Sequence, residues 1–306
     1  MRDETVYHKG SHSIDQGQVG LNWLIENGWV EILQDGRVIL NHDFYKIMQL
    51  LDAIILTWAS EDKANEYLYP DFYYSKELEK CNYIQQFYPH CVFCLVNASE
   101  SFSPNNLKYS GFISNPAICM HSYIQYQNST LKTEHPVVIT AKGRCKRNEE
   151  KGFVSLERLL DFTMREIIFI GPAEYVVKKR HKYMEKAKQF IEELHLDGQI
   201  ILSNDPFFKK EDEIKIFFQK KFKLKYELVL KNPDTNHEVA VASFNYHNIN
   251  FSKAYNIHLD DNRLAHTACV AFGLERLAYI YIVQKGVEAC YSDLIEYIER
   301  IRRRAL

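Results

Sequence analysis

A chain of 306 residues, 46% hydrophobic and 25% charged, has the composition of a globular protein and the length of one large domain or two ordinary ones. Its formal net charge of −2 gives no overall pull toward tRNA or an anionic membrane. No apolar run approaches the roughly 18 residues of a membrane span, and the polar N-terminus lacks the apolar stretch of a secretory leader. Seven cysteines suit a reducing cytoplasm, where thiols act as packing groups or metal ligands.

Residues 1–19 are polar and expected to be loosely ordered, leaving a single domain over 20–306. Leu21 to Asn27 reads as a short helix ending at Gly28. Trp29–Ile32 and Val38–Leu40 flank Gln34-Asp35-Gly36 as a hairpin. Asn41 is placed to cap a long helix whose buried face carries Phe44, Ile47, Leu51, Ile54, Ile55 and Trp58. Pro70, after Tyr67-Leu68-Tyr69, stops regular hydrogen bonding. Cys91-Val-Phe-Cys94 is a lone CxxC in an apolar run with no second pair, which reads as buried packing. Residues 98–108 and 124–135, rich in Asn, Ser and Thr, read as loops.

Val137–Glu149 reads as a strand with Cys145, Arg147 and Glu149 on one face; after a charged loop, a second strand reaches Gly171 with Phe162, Met164, Glu166 and Ile168 on one face. Tyr175–Leu194 is an amphipathic helix. Tyr183, Ala187, Phe190, Ile191 and Leu194 form its apolar stripe, and Lys178, Lys179, Arg180, Lys182, Lys186 and Lys188 are assigned to the exposed side. Such a charge run is either a solvated face or a docking face. Residues 231–238 form a turn between two further strands.

Leu264 to Phe272 reads as an extended segment turning at Gly273 into a helix with Leu274, Leu277, Ala278, Tyr281 and Ile282 on one stripe. Arg276 then falls in the first turn, where a cation is disfavoured by up to about 1 kcal/mol unless an anion faces it. A phosphate or a neighbouring carboxylate would serve.

Gly273-Leu274-Glu275-Arg276-Leu277 resembles motif 3 of the class II aminoacyl-tRNA synthetases. The longer run from His266 through Cys269 to Arg276 resembles the amino acid:[carrier protein] ligases, truncated relatives of the atypical zinc-dependent seryl-tRNA synthetases. The long helix followed by Pro70 resembles motif 1, the dimer-forming element. Arg147-Asn148-Glu149 and Phe162 to Glu166 resemble motif 2. Ser75-Lys-Glu-Leu-Glu-Lys80 with Tyr83 to Pro89, Ser203-Asn-Asp-Pro-Phe-Phe208, Leu224 to Glu227 and Ala242 to His247 follow family runs in order. The sequence departs from the family at Lys209-Lys210 and at Ala271, where glycine is usual.

The resemblance implies an α+β fold, an antiparallel sheet flanked by helices. It also implies a homodimeric cytoplasmic enzyme that converts an amino acid and ATP to aminoacyl-adenylate and pyrophosphate. A small amino acid, glycine or alanine, would then pass to the phosphopantetheine thiol of an acidic carrier protein, with no tRNA partner. Arg147 and Arg276 would be the catalytic cations; Arg147, Glu149, Phe162, Glu227 and Arg276 would hold ATP and its Mg²⁺. Cys119, Glu166 and Cys269 would hold Zn²⁺, and Ser243 and Asn245 would border the substrate. His266 would orient a ligand or belong to the core. Lys178, Lys179, Arg180 and Lys182 would dock the carrier. A tRNA synthetase and a non-catalytic regulatory paralogue remain the alternatives.

Overall fold

A computed structural model of the chain describes residues 5–8, 19–148, 155–204, 217 and 219–305. In chain order the elements run β1 (Thr5–His8), α1 (Leu21–Glu26), β2 (Val30–Ile32), β3 (Val38–Leu40), α2 (His42–Glu61), β4 (Asn65–Tyr67), β5 (Phe72–Tyr74), α3 (Ser75–Lys80) and α4 (Tyr83–Phe87). There follow β6 (Phe93–Asn97), β7 (Leu107–Ser114), α5 (Cys119–Gln125), β8 (Thr130–Leu131), β9 (Val137–Lys146), β10 (Asp161–Gly171), α6 (Ala173–Glu193) and β11 (Gly198–Ser203). The chain closes with β12 (Lys225–Lys231), β13 (Glu238–Asn248), α7 (Asn250–Tyr255), β14 (His258–Leu259), β15 (His266–Gly273), α8 (Leu274–Lys285) and α9 (Cys290–Ala305).

An eight-stranded sheet in the order β1-β11-β12-β13-β15-β10-β9-β4 forms the centre. Its pairs are antiparallel except β4 on β9, so the α+β expectation holds with one parallel edge. Thr5–His8 pairs with β11, so part of the stretch expected to be loosely ordered adds a strand. The two faces of the sheet bury different sets, as strand alternation requires. Ile167, Phe169, Val270, Phe272 and Phe244 join the core under α2, α6 and α8. Ile168, Ile170 and Cys269 face the opposite way, toward α5 and α7.

Asn41 caps α2 as expected, its side chain accepting from the Phe44 N–H at 2.9 Å, and all six apolar residues named for that helix are buried. The hairpin of β2 and β3 also forms where expected. In α8 the expected stripe is buried, but so are Glu275 and Leu277 through Gln284 all round. A helix apolar on every side lies inside the core rather than on its surface. Gly286, at φ +75°, ends it. The loop expectations were too broad: β7 starts at Leu107, and α5 and β8 enter 124–135. Cys91 is buried, and Cys94 shares a weak bond with Ser114, in keeping with packing.

A separate three-stranded sheet, β5-β7-β6, follows Pro70. Tyr73 and Ile113 point inward from it, whereas Phe72, Tyr74, Phe93, Leu95, Tyr109 and Phe112 are exposed.

Candidate active site

Strand register builds the site before any ligand is considered. Across the sheet, Ala141, Glu166, Ala271, Ser243 and Glu227 pair successively, and Ile168, Cys269, Asn245 and Lys225 form the adjoining row. Both rows lie on the face turned toward α5. Side chains from strands remote in sequence thus meet because pairing fixes them opposite one another.

Cys119 enters from α5. The Glu166 carboxylate accepts from the Ile118 N–H at 2.7 Å and the Cys119 N–H at 3.3 Å, both through Oε1. Glu166 thereby ties β10 to the start of α5 and fixes where the Cys119 sulfur stands. The ligand atoms of Cys119, Glu166 and Cys269 lie within 4.8 Å of one another, with 6%, 1% and 2% exposure.

These three acids are costly to ionise in isolation. The hydrogen bond Cys119 gives to Cys269, followed by burial, pushes the Cys119 thiol well above its ordinary value. Burial pushes up the Glu166 carboxyl against the bonds from Ile118 and Cys119. The bond received from Cys119 favours the Cys269 thiolate, but burial and the neighbouring Glu166 carboxylate raise that thiol too. A divalent cation reverses this preference, since it binds deprotonated groups. Two sulfurs and one carboxylate oxygen suit zinc, whose ligand atoms stand about 3.5–3.8 Å apart in a tetrahedral site. With their ligand atoms within 4.8 Å of one another, the three donors are close enough to share one such ion.

Around this trio the expected residues fall unevenly. Asn245 Nδ2 donates to Ser243 Oγ at 3.0 Å and to Cys269 Sγ at 3.5 Å, which places both residues beside it. Arg147 lies over Phe162, 5.4 Å from the ring centroid, and its Nε donates to the Pro116 carbonyl at 2.8 Å. Met164 pairs with Gly273, which sets Phe162 beside the turn into α8; a Cβ at Gly273 would meet nothing within 4 Å. Arg276 crosses to β13 and donates to the Ala240 carbonyl at 2.8 Å. Glu227 accepts from Ser203 Oγ at 2.8 Å and pairs with Lys225 at 3.1 Å. Glu149, Asp205–Phe208 and Lys209-Lys210 lie outside the described residues.

One open expectation is decided, and one needs correction. His266 does not approach the trio; it belongs to the other face of β15, where its Nδ1 shares a 2.6 Å hydrogen bond with Tyr246 Oη and the two rings stack. The histidine beside the trio is His247, whose Nε2 stands 3.7 Å from Cys269 Sγ. Its signal was strand parity, since it follows Asn245 by two.

The basic set on α6 also divides. Arg180 is 4% exposed, stacked on Tyr226 and Tyr246, and donates to the Lys223 and Leu224 carbonyls. It lies three residues before Tyr183 and belongs to the buried stripe despite its charge. Lys179 and Lys182 pair with Asp62, and Lys186 with Glu61, so they fasten α6 to the end of α2. Of the four docking candidates, Lys178 is exposed and has no ion pair among the described residues.

No profile of a known protein family matches the chain. Amino acid–[acyl-carrier-protein] ligase 2 of Bradyrhizobium diazoefficiens is 34% identical over 183 residues, 59% of this chain and 52% of that protein. Ligase 1 of the same organism is 28% identical over 77% of this chain and 76% of its own length. A type-2 serine–tRNA ligase of Methanococcus aeolicus is 30% identical over 63% of this chain and 38% of its own length. The chain therefore matches about half of the first relative and less of the tRNA ligase.

Among solved structures, the seryl-tRNA synthetase of M. kandleri, determined with A. aeolicus tRNASec, superposes with a TM-score of 0.83 at 18% identity, over 96% of this chain and 63% of that one. The cytoplasmic serine–tRNA ligase of Naegleria fowleri, determined with AMP, gives 0.72 at 11% identity, over 95% and 64%. By sequence the chain is similar to amino acid–[acyl-carrier-protein] ligases and type-2 serine–tRNA ligases, and its fold is that of the seryl-tRNA synthetases.

Proposed function

We propose that the chain is an ATP-dependent ligase that activates a small amino acid, glycine or alanine, and transfers it to the phosphopantetheine thiol of an acidic carrier protein. The observation that carries this reading is the buried trio Cys119, Glu166 and Cys269, set beside Asn245 and Ser243 on one face of the sheet. These three residues would hold zinc, which would supply an open position for the substrate amine. Glu166 and Cys119, locked together through the start of α5, orient that amine. Ala271, between Glu166 and Ser243 in the row, forms the floor against which the substrate side chain is sized.

The substrate carboxylate would then face the turn at Gly273, where there is open space. Phe162 offers a ring face for adenine, and Arg147 and Arg276 supply the cations that stabilise charge on the phosphates. In the first half-reaction a carboxylate oxygen bonds to the α-phosphorus as the bond to pyrophosphate breaks. In the second, the carrier thiol adds to the acyl carbon, AMP leaves and the thiol proton passes to solvent. Glu227 is the described candidate for a Mg²⁺ ligand among the phosphates. The proposed assembly is a homodimer, closed by the exposed aromatic face of β5-β7-β6 that follows the motif 1 helix. No helix among the described residues is long and apolar enough to cross a membrane.

The relatives include tRNA ligases, so the acceptor is the decisive variable. Zinc-loaded protein, ATP and radiolabelled glycine or alanine should label a phosphopantetheinylated carrier protein and leave total tRNA unlabelled. Labelled tRNA with an unlabelled carrier would overturn the assignment in favour of a synthetase.

A further inference from the structure

His247 was not among the residues singled out for the site, yet its surroundings define what it does. Its Nδ1 faces two hydroxyls, Tyr123 Oη at 3.3 Å and Thr267 Oγ1 at 3.4 Å. Tyr123 and Thr267 are fully buried, so these hydroxyls are held in place. A phenol donating to Nδ1 puts the ring proton on Nε2. Nε2 is the atom that stands 3.7 Å from Cys269 Sγ. His247 is not among the groups whose atoms lie within 4.8 Å of one another at the trio, so it approaches Cys269 and not the other two.

Asn245 reaches the same sulfur from the same strand. One hydrogen of its Nδ2 goes to Ser243 and the other to Cys269, which leaves Oδ1 as the remaining acceptor of the amide. Among the described residues, the Cys119 sulfur receives no N–H donor. The two sulfurs are therefore unequal.

We propose that Asn245 and His247 form a paired N–H clamp on the Cys269 sulfur, acting as positioning residues for the metal. This rests on the metal reading of the trio and goes beyond it by assigning the groups outside the ligands. Hydrogen bonds to a thiolate withdraw charge that the sulfur would otherwise give the metal. A metal held there would stay electron-poor, and the site would take the substrate amine more readily. Tyr123 and Thr267, by fixing the imidazole tautomer, are the outer support of the clamp.

Cobalt(II) is the probe, because sulfur-to-cobalt charge-transfer absorption reads sulfur electron density without turnover. Removing an N–H donor makes the sulfur easier to oxidise and moves the band to longer wavelength. His247→Phe keeps a ring among Tyr123 and Phe251 but has no N–H; Asn245→Ala removes the other donor. Each should shift the band to longer wavelength and weaken cobalt binding about ten- to a hundred-fold. His266→Phe, on the other face of the sheet, should leave the band in place.

Should His247→Phe fail to fold, Asn245→Ala alone still carries the predicted shift. Cobalt bound with an unmoved band in the folded variants overturns the clamp while the metal site stands. So does an imidazole shell at the metal X-ray absorption edge of the wild type that vanishes in His247→Phe, since His247 would then be a ligand. Wild-type protein that takes up no cobalt overturns the metal reading and the clamp with it.

Discussion

Ala271 is 5% exposed and sits in the pairing row between Glu166 and Ser243. A Cβ there already occupies the floor of the proposed substrate site, and two further methyls would fill it. Ala271→Val should raise KM for the amino acid and lower kcat/KM by about ten- to two-hundred-fold, the 1–3 kcal/mol range for small side-chain discrimination, with KM for ATP unchanged. An equal loss for ATP would place Ala271 outside the amino acid pocket. At this scale sequence resemblance named Cys119, Glu166 and Cys269, which the fold brings together from distant segments; local spacing alone could not have done so. It missed His247 and left His266 open between orienting a ligand and belonging to the core. The parity of β13, on which Ser243, Asn245 and His247 share a face, held the information.

At the scale of elements, the long periodic helices and the β9-β10 hairpin were legible because apolar spacing and caps agree. Arg180 was not, because residue type was weighed above its place in the 176, 180, 183, 187 stripe, where a cation packs on tyrosine rings and backbone carbonyls. The join between α2 and the central strand was equally hidden. Arg165, 1% exposed, binds Asp52 through two nitrogens at 2.7 and 3.0 Å and Glu66 through a third, with Lys142 also on Asp52 at 2.8 Å. Because Arg165 and Glu166 are neighbours on β10 pointing to opposite faces, this network anchors the strand that carries a proposed metal ligand.

Burial disfavours the charged Asp52, but its hydrogen bond and attraction to Arg165 outweigh this and hold its carboxyl below the ordinary 3.8. A carboxyl lowered on folding contributes stability that is complete above its unfolded value and is lost as pH falls through the folded one. Asp52→Asn should therefore cost about 3–5 kcal/mol near neutrality, and the cost should shrink below about pH 4. Urea unfolding of both proteins across this range checks it. A cost unchanged into strong acid would show that the loss is steric rather than electrostatic.

The whole molecule presents one feature suited to assembly. The sheet β5-β7-β6 leaves Phe72, Tyr74, Phe93, Leu95, Tyr109 and Phe112 exposed, with Leu95 at 57%. Exposed apolar side chains gathered on one small sheet suit an interaction surface. If it closes the proposed homodimer, Leu95→Glu should halve the mass seen by light scattering while the far-ultraviolet circular dichroism stays native. A wild-type monomer, or an unchanged dimer in the variant, would contradict that placement. The sheet centre and its flanking helices were legible from the resemblance, whereas the parallel edge strand β4 and the added strand β1 depend on contacts too distant for local patterning.

The central claim is that one side of this sheet holds an amino acid by its amine and adenylates it. Amino-acid-dependent exchange of pyrophosphate into ATP, measured on zinc-loaded protein across the common amino acids, tests it most directly. Exchange with glycine or alanine, abolished in Glu166→Ala, is the predicted result. Folded, zinc-containing protein that supports exchange with no amino acid would contradict the account.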